Sequence, residues 1–461
     1  MTTTTASSGI GDGFPEPDRL DAVLNRELRR FVDEHPRAAT QHDAADAMFG
    51  GVPMPWMRRW AGGFPVIAAQ AQGARLTDTD GHTYVDFCLG DTGAMTGHAP
   101  APVLAAATAR LAAGTTMMLP TEDAAIAASA LRERFGLDQW TFTLSATDAN
   151  RAALRLARHL TGRDKIVCFS YSYHGAVDET LAVRAPDGST IAREGNVGAP
   201  VPLDSTTRVV EFNDIPALEA ALAEGDVALV IAEPAMTNMG IILPDPGYHT
   251  ELRRLTREHG TLLLIDETHS FSVGPGGATV AWGLEPDLLS IGKAIAGGIP
   301  AGALGIRQGL ADELLDDPTA DLEDVGGVGG TLAGNALSLA AMRAALTDVL
   351  TPEAFAHATA VADRLIAGIE DVIARHGLPW HALQLGCRVE YRFVPAPPRD
   401  GTASRATLHA ELERVMHLHA LNRGVLITPF HNMLLACPAT TLADADLHTE
   451  VFEAAVSDLF G

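Results

Sequence analysis

The stretch TLLLIDETHSFSVGPGGATVAWGLEPDLLSIGKAIAGGIPAGALGI, residues 261–306, decides the fold. It contains three short apolar runs, TLLLIDE (261–267), LLSI (288–291) and AGALGI (301–306), separated by glycine-containing connections. Short runs of continuous apolar character are typical of strands that are covered on both faces of a sheet. We therefore predict that these runs form neighbouring strands of one buried sheet.

The same pattern extends upstream of residue 261. Further strand-like runs are KIVCFS (165–170), RVVEF (208–212) and VALVIAE (227–233). Segments with helical periodicity lie among them at 148–161, 214–224 and 247–259. Such an alternation of strands and helices predicts a mostly parallel α/β sheet.

The two ends of the chain differ from this middle part. LTDTDGHTYVDF (76–87) predicts a small hairpin with Asp-Gly at its turn. From residue 334 onward helices dominate, with a strand-like RVEYRFV (388–394) among them, and they are predicted at 334–349, 352–376, 405–423 and 443–460. We predict a large domain over 76–334 and a smaller α+β domain built from 1–75 and 335–461.

Composition excludes several classes of function. The chain has 461 residues, 47% of them hydrophobic and 20% charged, which is typical of a globular protein. A net charge of −25 argues against binding to nucleic acid or to anionic membranes. Four scattered cysteines without a C-x-x-C pair favour a reducing cytoplasm over disulfides or a metal site. We expect a cytoplasmic protein with no metal.

Lysine is rare in this chain, and one of the few lies in DLLSIGKAIAGG (287–298). Only Lys165 and Lys293 are lysines, so 31 of the 33 Lys and Arg residues are arginine. A lysine at the end of a buried strand can act as a neutral amine, whereas arginine keeps its proton. Lys293 therefore indicates amine chemistry.

Two carboxylates follow neighbouring apolar runs in the same way. Asp266 ends TLLLID, and Glu233 ends VALVIAE. Chemistry collects at the carboxyl ends of strands in open parallel sheets, although a carboxylate there is often only a loop anchor. Pyridoxal phosphate sites pair a Schiff-base lysine with an aspartate on the pyridine nitrogen, so Asp266 and Lys293 predict that cofactor.

A phosphate site is also expected. Ser145, Ala146 and Thr147 of TLSATDANRAALRLARHL stand directly before a helical pattern. Backbone N–H groups at a helix start bind phosphate, and the same geometry serves a plain N-cap.

Together these motifs resemble a known family. SATDANRAALRLAR, SYHG, EPAMTNMG, DETHS, SIGKAIAGGIPAGALG and GGTLAGNALSLAA occur in the order seen in class III aminotransferases. The chain resembles in particular the branch that includes glutamate-1-semialdehyde aminomutases, over about residues 45–455. The resemblance implies fold type I of the pyridoxal phosphate enzymes, with a mostly parallel seven-stranded sheet.

The resemblance also implies roles for individual residues. Lys293 would carry pyridoxal 5'-phosphate as a Schiff base and shuttle the proton, while Asp266 would pair with the pyridine nitrogen. Ala146 and Thr147 would bind the phosphate beside Ser145, with Ala146 standing where the family usually has glycine.

Further cofactor contacts follow from the same resemblance. Tyr173 would stack on the ring with His174 close by. Glu233 and Asn238 would lie on the hydroxyl side of the ring. Thr331 would reach the phosphate of a neighbouring subunit, which implies a homodimer with shared active sites.

Some positions depart from the family pattern. Thr268 adds a hydroxyl where an apolar β-branched residue is common. His269 follows it and is counted with the predicted substrate pocket, where it either tunes the cofactor, bridges to the loop 270–280 or is simply bonded to backbone. The predicted substrate pocket contains Trp56 and Asp91, the latter where aminomutases carry Trp. Arg388 could clamp a carboxylate, although a surface or structural arginine is the expected reading.

The side pocket therefore favours a transaminase that acts on an amine or (β-)amino acid with a keto acid or ketone as acceptor. An intramolecular aminomutase, a pyridoxal phosphate racemase or epimerase, and a catalytically silent cofactor-binding homodimer remain as alternatives. A dehydrogenase is excluded because no G-x-G-x-x-G follows a strand.

Overall fold

The computed structural model describes residues 13–198, 202–320, 322, 327–429 and 431–461. The strands are β1 Ala68–Gln72, β2 Arg75–Asp78, β3 Thr83–Asp86, β4 Gln139–Thr143, β5 Lys165–Phe169, β6 Ala182–Arg184, β7 Thr190–Ala192, β8 Thr207–Val210, β9 Val227–Ala232, β10 Leu262–Asp266, β11 Leu288–Ile291, β12 Gly302–Ile306, β13 His381–Leu385, β14 Arg388–Arg392, β15 Val425–Leu426 and β16 Met433–Leu435. The α-helices are α1 Pro17–Glu34, α2 Pro36–Asp43, α3 Ala101–Ala113, α4 Glu122–Phe135, α5 Ala146–Thr161, α6 Leu203–Thr206, α7 Ile215–Leu222, α8 Tyr248–Glu258, α9 Gly277–Ala281, α10 Gln308–Asp316, α11 Ala336–Ala344, α12 Pro352–His376, α13 Gly401–Ala406, α14 Ala410–Leu421 and α15 Leu442–Phe460.

In the described part of the chain, seven strands form the main sheet in the order β4-β12-β11-β10-β9-β5-β8. The pairs β11-β10, β10-β9, β9-β5 and β5-β8 are parallel, and β12 runs antiparallel to both of its neighbours. The predicted mostly parallel sheet is confirmed, and all six predicted strands belong to it.

The sheet is covered on both faces, which explains the continuous apolar runs. Successive residues of β10 point to opposite sides, so Leu264 joins one core cluster while Leu263 and Ile265 join the other. The first cluster is completed by α5 and α10, and the second by α7 and α8. The chain therefore buries two apolar layers around one sheet.

Two compact units make up the chain. One comprises the described residues of Met1–Asp91, His357–Pro397 and Thr407–Gly461, and the other comprises Thr92–Ala356 and Pro398–Ala406. The first unit contains the sheet β1-β2-β3-β15, the sheet β13-β14-β16, and a core cluster that joins α1 and α14. It is thus assembled from both ends of the chain.

The boundaries of these units differ from the predicted boundaries after 75 and 334. The predicted hairpin, β2 and β3, pairs with β1 on one side and with β15 on the other, which places it in the terminal unit. Helix α11 instead packs against α3 and α4 of the sheet-containing unit. The pairing of β3 with β15 and the packing of α11 against α3 and α4 join segments that are distant in sequence, so local pattern could not reveal them. No helix among the described residues is long and apolar enough to span a membrane.

Candidate active site

Parallel pairing brings three of the predicted site residues to one edge of the sheet. Asp266 is the last residue of β10 and is level with Ser290 of β11, and Lys293 follows two residues after β11 ends. Glu233 directly follows β9, which pairs with β10 on its other side. The carboxyl ends of parallel strands therefore form the site, as expected for open α/β sheets.

Asp266 is held as a buried carboxylate. Its Oδ2 accepts hydrogen bonds from Nδ1 of His174 at 3.0 Å and from Nδ2 of Asn150 at 2.9 Å, and its Oδ1 accepts from the Thr268 amide at 3.1 Å. Burial by itself would raise the pKa of the Asp266 carboxyl, but these donors and the charge of His174 outweigh burial and hold that pKa at about 2. Asp266 is therefore an anion at neutral pH.

Asn150 is a site residue that the sequence prediction missed. It is fully buried on α5 among alanines such as Ala149 and Ala153, and it bonds both Asp266 and the backbone oxygen of His174. An asparagine on the apolar face of a helix is a buried polar group that needs partners. The sequence therefore showed that Asn150 needed a partner, but it did not show that the partner is Asp266.

The amine of Lys293 lies against a histidine. Its Nζ is 2.6 Å from Nε2 of His269, and Nδ1 of the same ring is 3.0 Å from Oγ1 of Thr92. His269 thus contacts the lysine through its side chain. Thr92 was not singled out by the sequence prediction, because it is 177 residues from His269 along the chain.

The start of α5 forms a cradle. Ser145 is the N-cap of α5, and its Oγ accepts from the Asp148 amide at 3.3 Å while donating to the Asp148 carboxylate at 2.9 Å. A Cβ placed on Gly292 would lie 2.9 Å from the Ala146 nitrogen. A Cβ on Gly175 would collide with Oγ1 of Thr147. Both glycines allow backbone close to the first turn of α5.

Glu233 and Asn238 hold loops at this edge. Oε2 of Glu233 accepts from the Thr237 amide at 3.1 Å and the Thr237 hydroxyl at 2.6 Å, and its Oε1 is 3.5 Å from the Tyr173 amide. Burial raises the pKa of the Glu233 carboxyl above its usual range. Nδ2 of Asn238 donates to the backbone oxygen of Tyr171 at 3.0 Å. These bonds fix the segment that presents Tyr173.

The remaining predicted residues lie elsewhere. Thr331 is exposed in the sheet-containing unit. Trp56, Asp91 and Arg388 belong to the terminal unit. Arg388 is 1% exposed at the start of β14, with Nη1 2.8 Å from Sδ of Met433, so it is a buried arginine and not a surface one.

Residues 56–456 match the family model "Aminotransferase class-III". The chain belongs to the class III aminotransferase family. Its cofactor is pyridoxal 5'-phosphate, and its architecture is that of fold type I enzymes of this cofactor.

Three relatives match between 82% and 96% of this chain. It is 34% identical to a glutamate-1-semialdehyde 2,1-aminomutase of Roseiflexus castenholzii over 82% of this chain and 87% of that protein. A solved glutamate-1-semialdehyde-aminomutase from Pseudomonas aeruginosa PAO1 is 46% identical, covers 96% of this chain and 99% of its own, and superimposes with a TM-score of 0.94. A variant of that protein was solved in complex with PMP. An omega-transaminase from Sphaerobacter thermophilus is 29% identical over 92% of this chain and 98% of its own, with a TM-score of 0.83.

The residues at the carboxyl ends of the parallel strands fit this cofactor. Asp266 is anionic and can pair with a protonated ring nitrogen. Nε2 of His174 and Oγ1 of Thr268 are buried and have no hydrogen-bond partner within the described residues, so polar groups of a bound molecule could satisfy them. Gly292 leaves room in front of the Ala146 amide.

Proposed function

We propose that this chain is an aminotransferase that moves an amino group from an amine or (β-)amino acid to a keto acid or ketone. One observation carries the proposal: the Lys293 amine and the Asp266 carboxylate stand at the ends of adjacent parallel strands. Bound pyridoxal phosphate supplies an electron-withdrawing ring that stabilises negative charge at the substrate carbon.

Each residue of the site has a definable part in this reaction. Lys293 is the base that takes the proton from the substrate carbon and returns it. Asp266 keeps the ring nitrogen protonated, and the hydrogen bonds from His174 and Asn150 keep Asp266 ionised and oriented.

Further groups position the cofactor. The N–H groups of Ala146 and Thr147 at the start of α5, with Ser145 beside them, bind its phosphate. Tyr173 would stack on the ring, and Thr268 would contact it from below. Glu233 and Asn238 act on the hydroxyl side through the loops that they hold, so their effect on the ring is indirect.

Intramolecular amino transfer is the second candidate. It is favoured by the aminomutase names of the relatives, including the Pseudomonas protein that matches over nearly the full chain. The same scaffold also carries a relative named omega-transaminase, so the shared residues do not separate the two reactions. Asp91 and Trp56 in the predicted substrate pocket favour an amine over the amino-aldehyde acid of an aminomutase, and Arg388 is buried against Met433.

A homodimer is part of the proposal. We assign Thr331 to the phosphate of the neighbouring subunit, as the family resemblance implies. Large exposed apolar side chains support an interface: Phe49 is 90% exposed in the terminal unit, and Met118 and Leu119 are 80% and 74% exposed in the other. Sedimentation analysis of the full chain tests this, and a monomer that retains cofactor and turnover would contradict it. The cytoplasmic location stays a prediction.

The two reactions are separated by their need for an acceptor. The purified holoenzyme is incubated with a panel of amines and β-amino acids plus pyruvate, and alanine is measured. A parallel incubation contains glutamate 1-semialdehyde alone, and its amino ketone isomer is measured. We expect alanine in the first incubation. Isomer without any alanine would establish the aminomutase instead, and Lys293→Ala should abolish either product.

A further inference from the structure

A cluster of side chains in the terminal unit brings two histidines to one carboxylate. His35 lies at the junction of α1 and α2, Asp78 is the last residue of β2, and His82 directly precedes β3. Oδ2 of Asp78 is 3.5 Å from Nε2 of His35 and 3.2 Å from Nδ1 of His82. One nitrogen or oxygen atom of each residue lies within 4.8 Å of those of the other two, which is close enough for a shared metal ion.

The cluster is buried except on the side of His82. The side chains of His35 and Asp78 are 2% and 0% exposed, whereas that of His82 is 38% exposed. A buried carboxylate needs a compensating charge. Among the residues that the structure describes, the ionic partners of Asp78 are these two histidines. An ion could reach Asp78 from the solvent past His82.

The hydrogen bonds of the cluster cannot all be satisfied by its own protons. Nδ1 of His35 is 2.7 Å from the backbone oxygen of Phe31, which can only accept, so a neutral ring has its lone pair at Nε2. The Tyr84 hydroxyl is 2.9 Å from that Nε2 and 2.7 Å from Oδ2 of Asp78. Its one hydrogen can serve only one of these two acceptors. The cluster therefore lacks one positive centre.

The surroundings set the ionisation states used in this count. Burial raises the pKa of the Tyr84 hydroxyl, and the charges of Asp78 and Asp80 raise it further, so the phenol keeps its hydrogen at neutral pH. Burial by itself would raise the pKa of the Asp78 carboxyl, but hydrogen bonds from Tyr84 and His82 outweigh burial and lower that pKa. Asp78 is therefore an anion at neutral pH.

We infer that His35, Asp78 and His82 bind a Zn²⁺ ion. Zinc binds imidazole nitrogens and carboxylate oxygens at about 2.0–2.2 Å, so neighbouring ligands of a tetrahedral site are about 3.3–3.5 Å apart. The two separations from Oδ2 of Asp78, 3.2 and 3.5 Å, are close to this spacing. The ion would accept the lone pair of the His35 Nε2, which leaves the hydrogen of Tyr84 for Asp78. The inference goes beyond the proposed amino transfer and does not depend on it.

Other groups hold the three ligands in place, as the outer contacts of metal sites do. His35 donates its Nδ1–H to the Phe31 backbone and also stacks on the Phe31 ring, with 4.3 Å between the ring centroids. Oδ1 of Asp78 accepts from the His82 amide at 2.8 Å, and its Oδ2 faces the two histidine rings. The ring centroids of His35 and His82 are 4.7 Å apart. The ligand atoms are therefore brought together by the fold itself.

The ion has a structural task at this position. It ties the junction of α1 and α2, which contributes His35, to the hairpin of β2 and β3, which contributes the other two ligands. Asp80 in the hairpin turn already accepts from the backbone amides of Arg37 and Ala38 at 2.8 and 2.9 Å. The expectation of no metal came from the spacing of cysteines, whereas these ligands are histidines and an aspartate that only folding brings together.

Zinc titration of the untagged holoenzyme tests the inference. The protein is first freed of metal with EDTA, zinc affinity is measured by competition with a coloured chelator, and calorimetry measures the melting temperature with and without zinc. We expect one tightly bound zinc ion per chain and a melting temperature that rises with zinc concentration. His82→Ala removes the most exposed ligand. It should lower zinc affinity by more than the roughly 10- to 100-fold typical of an outer contact, and it should abolish the rise in melting temperature.

Matched variants separate this site from general binding of cations. His376→Ala removes another partly exposed histidine of the same unit, outside the cluster, and should bind zinc as wild type does. Tyr84→Phe removes only an outer contact and should lower zinc affinity about 10- to 100-fold. Magnesium prefers oxygen ligands and should not raise the melting temperature.

Equal zinc affinity of wild type and His82→Ala would mean an adventitious ion only and would overturn the inference. A wild-type melting temperature that does not respond to zinc would overturn it as well. Neither measurement needs turnover, so a failure to detect amino transfer would count against the proposed function alone.

Discussion

The substitution Gly292→Ala tests the phosphate cradle. A Cβ at residue 292 would lie 2.9 Å from the Ala146 nitrogen, 3.0 Å from the Ala146 Cβ and 3.4 Å from its Cα. These atoms belong to the first turn of α5, whose inner face is buried in the core, so no side-chain rotation can relieve the contact. Forcing a methyl into such a space costs about 1–3 kcal/mol of folding free energy.

The larger effect should be on cofactor binding. The new methyl covers the Ala146 N–H, and a hydrogen bond to a charged group is worth about 1.5–3 kcal/mol. Affinity for pyridoxal phosphate should therefore fall about ten- to hundredfold, since 1.4 kcal/mol corresponds to a factor of ten. Pyridoxal, which lacks the phosphate, should lose much less. Visible-absorbance titration of the cofactor-free protein measures both affinities, and urea unfolding measures stability.

Gly309→Ala is the matched control. Gly309 lies in α10 with open space around its Cα, so alanine there should leave cofactor affinity unchanged and stability equal or up to about 1 kcal/mol higher. The assignment of the phosphate to the Ala146 N–H is refuted if Gly292→Ala binds pyridoxal phosphate with an affinity within twofold of wild type. Equal losses for pyridoxal and its phosphate would show a general distortion instead.

Three further outcomes are expected. Asp266→Asn should slow amino transfer at least about a hundredfold in steady-state assays, because a neutral amide cannot balance a protonated ring nitrogen; an activity within tenfold of wild type would contradict this. Hydrogen bonds from Arg423, Asn422 and Arg26 overcome the burial of Glu27 and lower its pKa to about 2, so its stabilisation is present above pH 4.5 and is lost as pH falls towards 2. Glu27→Gln should therefore cost about 2 kcal/mol in urea unfolding at pH 7, after allowance for the partly exposed arginines, and the gap to wild type should close below pH 3; a gap independent of pH would contradict it. Burial raises the pKa of all four cysteine thiols, so Ellman's reagent at pH 8 should react only after unfolding, and rapid native labelling would be the opposite result.

Sequence pattern was sufficient for the parts of the fold that depend on local composition. The buried strands are continuous apolar runs because both of their faces are covered, and α12 was predicted with the bounds it has, Pro352–His376. Strand β4 was missed. Its residues Trp140, Thr141 and Phe142 are only partly buried at the sheet edge, so QWTFT lacks the apolar signature of a central strand.

The residues of the site also fall into two groups, those that the sequence could reveal and those that it could not. Lys293 and Asp266 could be found because each ends an apolar run and each has a residue type that the chemistry needs. Asn150 and Thr92 could not be assigned, because their partners lie 116 and 177 residues away and only folding brings them together. The outer contacts of a site are contacts of the tertiary structure, whereas its reactive groups are marked by residue type.

The case of Thr92 shows how the two kinds of information combine. In the sequence, a lysine in a chain that otherwise uses arginine indicated an amine with a chemical task. In the structure, Thr92 is a buried β-branched residue with a φ of +84°, a conformation that costs free energy. Such a conformation persists where the surroundings require it, and the Thr92 hydroxyl contacts His269. His269 joins the two residues through its two ring nitrogens. The residue at position 269, where the chain departs from the family pattern, is therefore tied to the site by contacts that only the folded chain provides.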